Sequence, residues 1–321
     1  MTTVDATAAD AAAMEDDPEL TPGERAWLEA RLAAMGVDPQ GPLRRTPLEA
    51  DADGWIVLST DPAQSALPPL VSVHGGAPVF AAEHLRVRAG GTLEVRAPGG
   101  EAVRVVAGRL TLAAGARLTL PPPGELHAAR AELGAGSAIE LIGKDGMAGV
   151  SGADGEPGPG FTGPYGATYL PDGGNGVEGV PGERGGTGGG VVYLESLVGT
   201  ATVIAGGGNG APGGDGGRGG NGFNGVGGRF RAGNGGNGGP GAPGGDGGPG
   251  GTVVLDVALQ PGAALNMVAR PSSGAPGGSG GGRGMGGSDP AKRRGSDGKP
   301  GAKGKDGGPG ELAVFSLRHR D

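Results

Sequence analysis

The sequence predicts a mainly β and polyproline II chain, in which β-solenoid-like stacked strands carry three inserted Gly-rich polyproline II hairpins forming a bundle, with one short N-terminal helix. Three observations lead there. Short alternating strands, each preceded by a small-residue turn, recur between residues 55 and 142. Glycine then occupies every third position through six runs, as in GGNGAPGGDGGRGGNG at 207–222. Aliphatic inserts interrupt those runs at intervals of about 60 residues, the mark of an internal repeat.

Residues 1–20 are acidic and poor in large apolar side chains, and read as a disordered tail. A helix follows over 21–36: Thr21 is the N-cap, Pro22 opens it, Glu24 completes a capping box and Gly36 stops it. Its apolar stripe is Trp27, Leu28, Leu32 and Met35. That stripe either packs over the adjoining domain or docks on another subunit of a larger assembly. Residues 37–54 read as a Pro-rich linker.

Over 55–142 the stretches LRVRAGGTLEV, VRVVAGRLTL, ARLTL and SAIELI suggest stacked coils, each burying an aliphatic row on the next; a β-sandwich is the alternative. Beyond Ile142 the Gly-rich stretches 143–190, 206–251 and 271–310 alternate with VVYLESLVGTATVIA (191–205), TVVLDVALQPGAALNMVAR (252–270) and ELAVFSLR (311–318), so 143–321 reads as one interleaved unit.

A period of three matches the polyproline II helix. Glycine at each third residue bares one face, and bare faces can approach until main-chain groups of neighbouring helices bond. A triple helix of three subunits and a disordered low-complexity chain are the competing readings. In the bundle reading, the three connecting loops gather at the end far from the strands. They hold Phe161, Tyr165 and Tyr169; Arg229, Phe230 and Arg231; and Lys292, Arg293 and Arg294. Aromatics and arginines anchor interfaces, so these nine are the candidate partner-binding residues, the alternative being that they only cap the bundle.

The runs resemble the Gly-rich polyproline II bundles of springtail antifreeze proteins and of phage tail-fibre tip adhesins, by period and layout over about residues 143–310. The adhesin resemblance implies receptor-binding loops at the far end; the antifreeze one implies ice binding. GKDGMAGVSGADGEPG and GSDGKPGAKGKDGGPG are similar to collagen G-x-y segments, and GVPGER (Gly179 to Arg184) resembles the integrin-binding motif of collagens.

Composition narrows the function classes. Net charge is −8, which argues against a nucleic-acid coat. There is no cysteine, hence no disulfide and no thiolate ligand. His74, His84, His127 and His319 lack ligand spacing, so no metal or other cofactor is expected. The G-x-G-x-x-G at Gly208, Gly210 and Gly213 has no helix after it, and the β-roll-like GGNGAPGGD and GGPGAPGGD, ending at Asp215 and Asp246, lack the aliphatic residue calcium rolls carry. No run of apolar residues is long enough to span a membrane, and the N-terminus lacks the regions of a secretory signal, so cytoplasmic synthesis is expected, followed by a cytoplasmic or particle-associated life. The expected role is a non-enzymatic scaffold presenting distal loops to a protein or surface receptor. A self-associating collagen-like matrix protein and an ice-binding protein are the alternatives.

Overall fold

The computed structural model describes residues 19–38, 48–50, 55–59, 77–97, 100–158, 172–224, 232–288 and 307–318. The helix forms as its signals require. In α1 (Pro22–Ala34) the Thr21 hydroxyl accepts from the Glu24 N–H at 3.2 Å and the Glu24 carboxylate accepts from the Thr21 N–H at 2.8 Å. At the other end Gly36 takes φ 72°, and the Val37 N–H reaches the Leu32 carbonyl at 3.0 Å.

Twelve strands follow among the described residues. They are β1 (Leu48–Ala50), β2 (Trp55–Ser59), β3 (Val79–Val87), β4 (Thr92–Arg96), β5 (Val103–Leu112) and β6 (Arg117–Thr119), then β7 (Gly124–Leu133), β8 (Ala138–Ile142), β9 (Gly190–Gly206), β10 (Thr252–Leu259), β11 (Ala264–Arg270) and β12 (Val314–Arg318). The strand order is β1-β3-β5-β7-β9-β8-β6-β4-β2. All pairings along it are parallel. β10 and β11 join it in parallel at β9, and β12 joins in parallel at β10.

β9 turns the corner of this nearly closed, barrel-like sheet. Its first half pairs with β7 and β10, its second half with β8 and β11, and Gly199 between them takes φ 86°. Two arms therefore face each other. The first holds β1, β3, β5, β7, β10 and β12; the second holds β2, β4, β6, β8 and β11; β9 belongs to both. A left-handed glycine stands at each successive corner, Gly90 at φ 72°, Gly115 at 70° and Gly136 at 72°, where a side chain would be strained.

The core lies between the arms and is built of columns. On the first arm Phe80, Val105, Leu126, Val192 and Leu255 are opposite one another in register, and all are buried. On the second, Leu93, Leu118, Ile139 and Val203 do the same. Both columns belong to one apolar cluster. Burying a Leu or Val side chain contributes about 1.5–3 kcal/mol, so these columns supply the main drive to fold.

This corrects the expected fold class. The chain is a parallel β fold with one helix, not a polyproline II bundle with inserted hairpins; stacking of strands is the part of the expectation compatible with it. The finding that overturns it is that β9, β10 and β12, expected as strands interleaved in a bundle, extend the ladders that β3, β5 and β7 begin. The physical reason lies in sequence distance. Partners such as Gly124 and Gly190, or Gly190 and Val253, are joined only in space, and a count of glycines reports nothing of that register.

The Gly-rich segments leave the sheet after β8, β9 and β11 and re-enter it before β9, β10 and β12. They carry no strand ladder, yet their main chains bond at every third residue. Gly146, Gly149 and Gly152 donate to Asn209, Pro212 and Asp215 at 2.8–2.9 Å, a parallel pairing. Val177, Val180 and Glu183 donate to Ala153, Val150 and Met147 at 2.8–2.9 Å, an antiparallel one. Side chains brace the outside: Asp145 accepts from the Asn209 N–H at 2.6 Å, and Asn209 accepts in turn from the Ser273 N–H at 3.0 Å.

Glycine is required where a second main chain lies against it. A Cβ on Gly217 would collide with the Ala153 carbonyl oxygen, whereas one on Gly282 would meet nothing nearer than the Arg218 Cγ at 3.8 Å. Gly217→Ala is therefore expected to lower stability by about 1–3 kcal/mol or more, as overpacking does, and Gly282→Ala to stay within about 0.5 kcal/mol of wild type. Urea unfolding of the two variants checks this, and equal effects would show that the segments do not pack main chain to main chain.

Candidate functional site

Two places concentrate side chains beyond what packing alone explains. The first is the seam between α1 and the outer face of the first arm. Leu28 and Leu32 are buried there against Val79, Ala81 and Val106, with Trp27 and Met35 packed at the margin. The stripe read as a possible docking surface is thus occupied by the chain's own sheet.

Polar pairs fix the helix in place. Arg109 reaches from β5 to Glu24 at 3.0 Å, both largely buried, and Arg25 bonds Glu83 of β3 at 2.9 Å. Burial alone would raise the Glu24 carboxyl, but bonds from the Thr21 N–H and from Arg109 hold it below its ordinary value.

Further along the seam, His127 on β7 is only 2% exposed. Its Nδ1 lies 2.8 Å from an Arg31 Nη2 and its Nε2 lies 3.1 Å from the Glu125 carboxylate. Arg31 can only donate, so Nδ1 accepts and Nε2–H donates to Glu125, which makes the imidazole neutral. Arg104, opposite Glu125 on β5, bonds the same carboxylate at 3.1 Å. Arg31 also sits over the Tyr193 ring at 4.5 Å, and Trp27 stacks on that ring with centroids 6.0 Å apart. Both imidazole nitrogens are therefore engaged, as suits a clamp holding the helix on the sheet.

The bond from His127, reinforced by Arg104, pushes Glu125 down to about 2 against the opposing effect of burial. Burial, with Arg31 nearby, pushes His127 below its ordinary value despite Glu125. Sequence spacing did not reveal this group. Glu125 and His127 share a strand face at i and i+2, but Arg104, Tyr193 and Arg31 arrive from other elements.

The second place is the end of the Gly-rich layer remote from the sheet. There Gly158 donates to the Asn221 carbonyl and Gly222 to the Met285 carbonyl, each at 2.8 Å. Gly233 donates to Phe223 and Gly287 to Gly233, each at 2.9 Å. Asp172 accepts from the Asn234 N–H at 2.7 Å, and Asn224 from the Ser288 N–H at 2.9 Å. The residues flanking all three connections are thus tied into one network. The connections themselves, with Phe161, Tyr165, Tyr169, Arg229, Phe230, Arg231, Lys292, Arg293 and Arg294, lie outside the described residues.

Asp215 and Asp246, at the β-roll-like stretches, accept from the Ser279 and Gly308 N–H groups at 2.6 Å. Glu183 of the collagen-like GVPGER accepts from the Met147 N–H at 3.2 Å. These carboxylates serve the main chain. Among the described residues no group of three or more His, Asp or Glu side chains could hold a metal ion. Nor is any helix among them long and apolar enough to cross a membrane. No family model matches the chain, and neither a curated protein nor a solved structure matches it.

The clamp has a pH signature. Both groups have folded values below their unfolded ones, so the stability they contribute is present at neutral pH and is lost on acidification. The His127 contribution falls as pH drops below about 6.5, and the Glu125 contribution falls between its ordinary value of 4.5 and about 2. The melting temperature is expected to decline from pH 7 to pH 5 in wild type and to decline less in His127→Gln. Equal slopes would show that another group takes up the proton.

Proposed function

We propose that this chain is a non-enzymatic scaffold and binding protein, in which the sheet and its braced Gly-rich layer hold three connecting segments together for a partner. The observation that carries the reading is the convergence of the three bases at one end, through the bonds of Gly158, Gly222, Gly233 and Gly287. A main chain bonded at every third residue gives these bases a stiff footing, which lowers the ordering cost of binding.

The residue types on the connections fit recognition. Four of the eight Phe and Tyr residues fall in them, beside Arg229, Arg231, Arg293 and Arg294. Such side chains dominate interface energetics through large apolar area and bidentate hydrogen bonding. The partner implied is a protein or surface receptor with carboxylates or other anionic groups near apolar pockets.

The combined variant Arg229→Ala, Phe230→Ala, Arg231→Ala is expected to weaken partner capture by tenfold or more, with the circular dichroism spectrum and melting temperature unchanged. Capture measured by biolayer interferometry on native cell or particle surfaces checks this, and undiminished capture removes the connections as the binding site.

A further inference from the structure

The two arms end differently at the two ends of the stack. At the first coil the core is closed: Leu48 of β1 and Leu58 of β2 are 4% and 0% exposed. At the last coil it is open. The column Phe80, Val105, Leu126, Val192, Leu255 ends on Leu317 of β12, which is 49% exposed although Leu255 beneath it is fully buried. The column Leu93, Leu118, Ile139, Val203 ends on Met267 of β11, 42% exposed above a fully buried Val203. Leu259, beside this end, is exposed as well.

The open end also has a step. On the first arm the stack continues past β9 through β10 to β12, whereas on the second it continues only to β11. Among the described residues the first arm therefore projects by one strand, and the outer edges of β11 and β12 have no strand partner. Open edges and uncovered aliphatic rows are features that soluble folds otherwise charge, cover or cap.

We propose that this end is the interface with a second copy of the same chain, joined end on end by a two-fold axis parallel to the strands. The step selects this occupant. A rotation that exchanges the arms and reverses the stacking direction sets the projecting β12 of each copy in the recess beside the other's β11. Both arms then become continuous and both exposed columns are covered, with no rung left over. A self-complementary surface of this kind closes after two copies. Head-to-tail stacking would need a matching open end at β1 and β2, where Leu48 and Leu58 are already buried.

Because the two copies of β12 lie at the same level across the core, Leu317 faces Leu317 of the second copy about one sheet spacing, or 10 Å, away. This gives a test independent of folding effects. In light scattering on the full chain after gel filtration, wild type is expected to show twice the 30.8 kDa chain mass. Leu317→Lys and Met267→Lys are expected to show the single-chain mass with circular dichroism unchanged. Val177→Lys, on the exposed Gly-rich surface, is expected to keep the doubled mass. The chain has no cysteine, so in Leu317→Cys a short bis-maleimide can join only the introduced thiols, and a covalent dimer is expected there but not in Val177→Cys. A monomeric wild type, a dimer that survives both lysine variants, an uncoupled Leu317→Cys, or masses that climb with concentration beyond two chains would each overturn the proposal.

Discussion

Register is the constraint on which the rest of this structure depends. Each excursion into the Gly-rich layer must return the chain to the next rung of a parallel ladder without a slip, because a one-residue shift turns a strand's apolar set outward. The layer keeps its own register by other means. Its side-chain braces join residues 64 apart on one side, as Asp145 with Asn209 and Asp215 with Ser279, and 62 apart on the other, as Asp172 with Asn234 and Asp246 with Gly308. The second arm shows the first of these spacings directly, with Ala264 opposite Thr200 and Arg270 opposite Gly206. Sheet and layer thus measure the same repeat twice, with different chemistry. A mutation that disturbs one is resisted by the other.

Much of the local structure was legible in the sequence, because local structure is written in local signals. The capping box of α1, the corner glycines and the aliphatic alternation of β4, β5, β6 and β8 rest on residues within a few positions of each other. The period of three likewise marks positions where a main chain approaches, as Gly217 against Ala153 shows. What escaped was the pairing of strands distant in sequence. VVYLESLVGTATVIA is legible as a strand pair, with GTATVIA echoing SAIELI, yet that its halves ladder on β7 and β8 of opposite arms, turning at the left-handed Gly199, is not. The period of the glycines carries no information on how β9, β10 and β12 pair, although these strands extend the ladder of β3, β5 and β7.

The candidate site was legible to a lesser degree. Leu28 and Leu32 were recognisable as an apolar stripe, but a stripe does not say whether its partner is the same chain or another. The charged residues beside it decide the matter. Glu24, Arg25 and Arg31 each find a counterpart on the outer sheet face, and such pairs become visible only once β3, β5 and β7 are laid side by side. Their energetic value differs with burial. The Arg25–Glu83 pair is half open to water on the arginine side and is worth little. Arg109 with Glu24 is shielded, and its role is to make any other helix position costly, since a displaced helix would strand both charges.

Stiffness in the Gly-rich layer has to arise collectively. Glycine loses more freedom on ordering than any other residue, by roughly 0.5–1 kcal/mol relative to alanine, and the layer has few large side chains to bury in return. What offsets this is the satisfaction of main-chain groups at close quarters, one N–H in every three along 143–158 and two in every three along 173–186 and 208–222, together with dispersion between backbones that no side chain separates. A single run with no neighbour would gain none of it. The stretch 207–222 illustrates the point, because Gly208 donates to Gly186 in the Gly-rich segment before it while Gly210 donates to Ser273 in the one after it. Order in such an array spreads outward from a part already fixed, as in stacked repeats, and here that part is the sheet, whose columns hold the root of each run in place. The apolar core and the nearly coreless layer are therefore one cooperative unit, with the drive to fold in the first and the reach in the second.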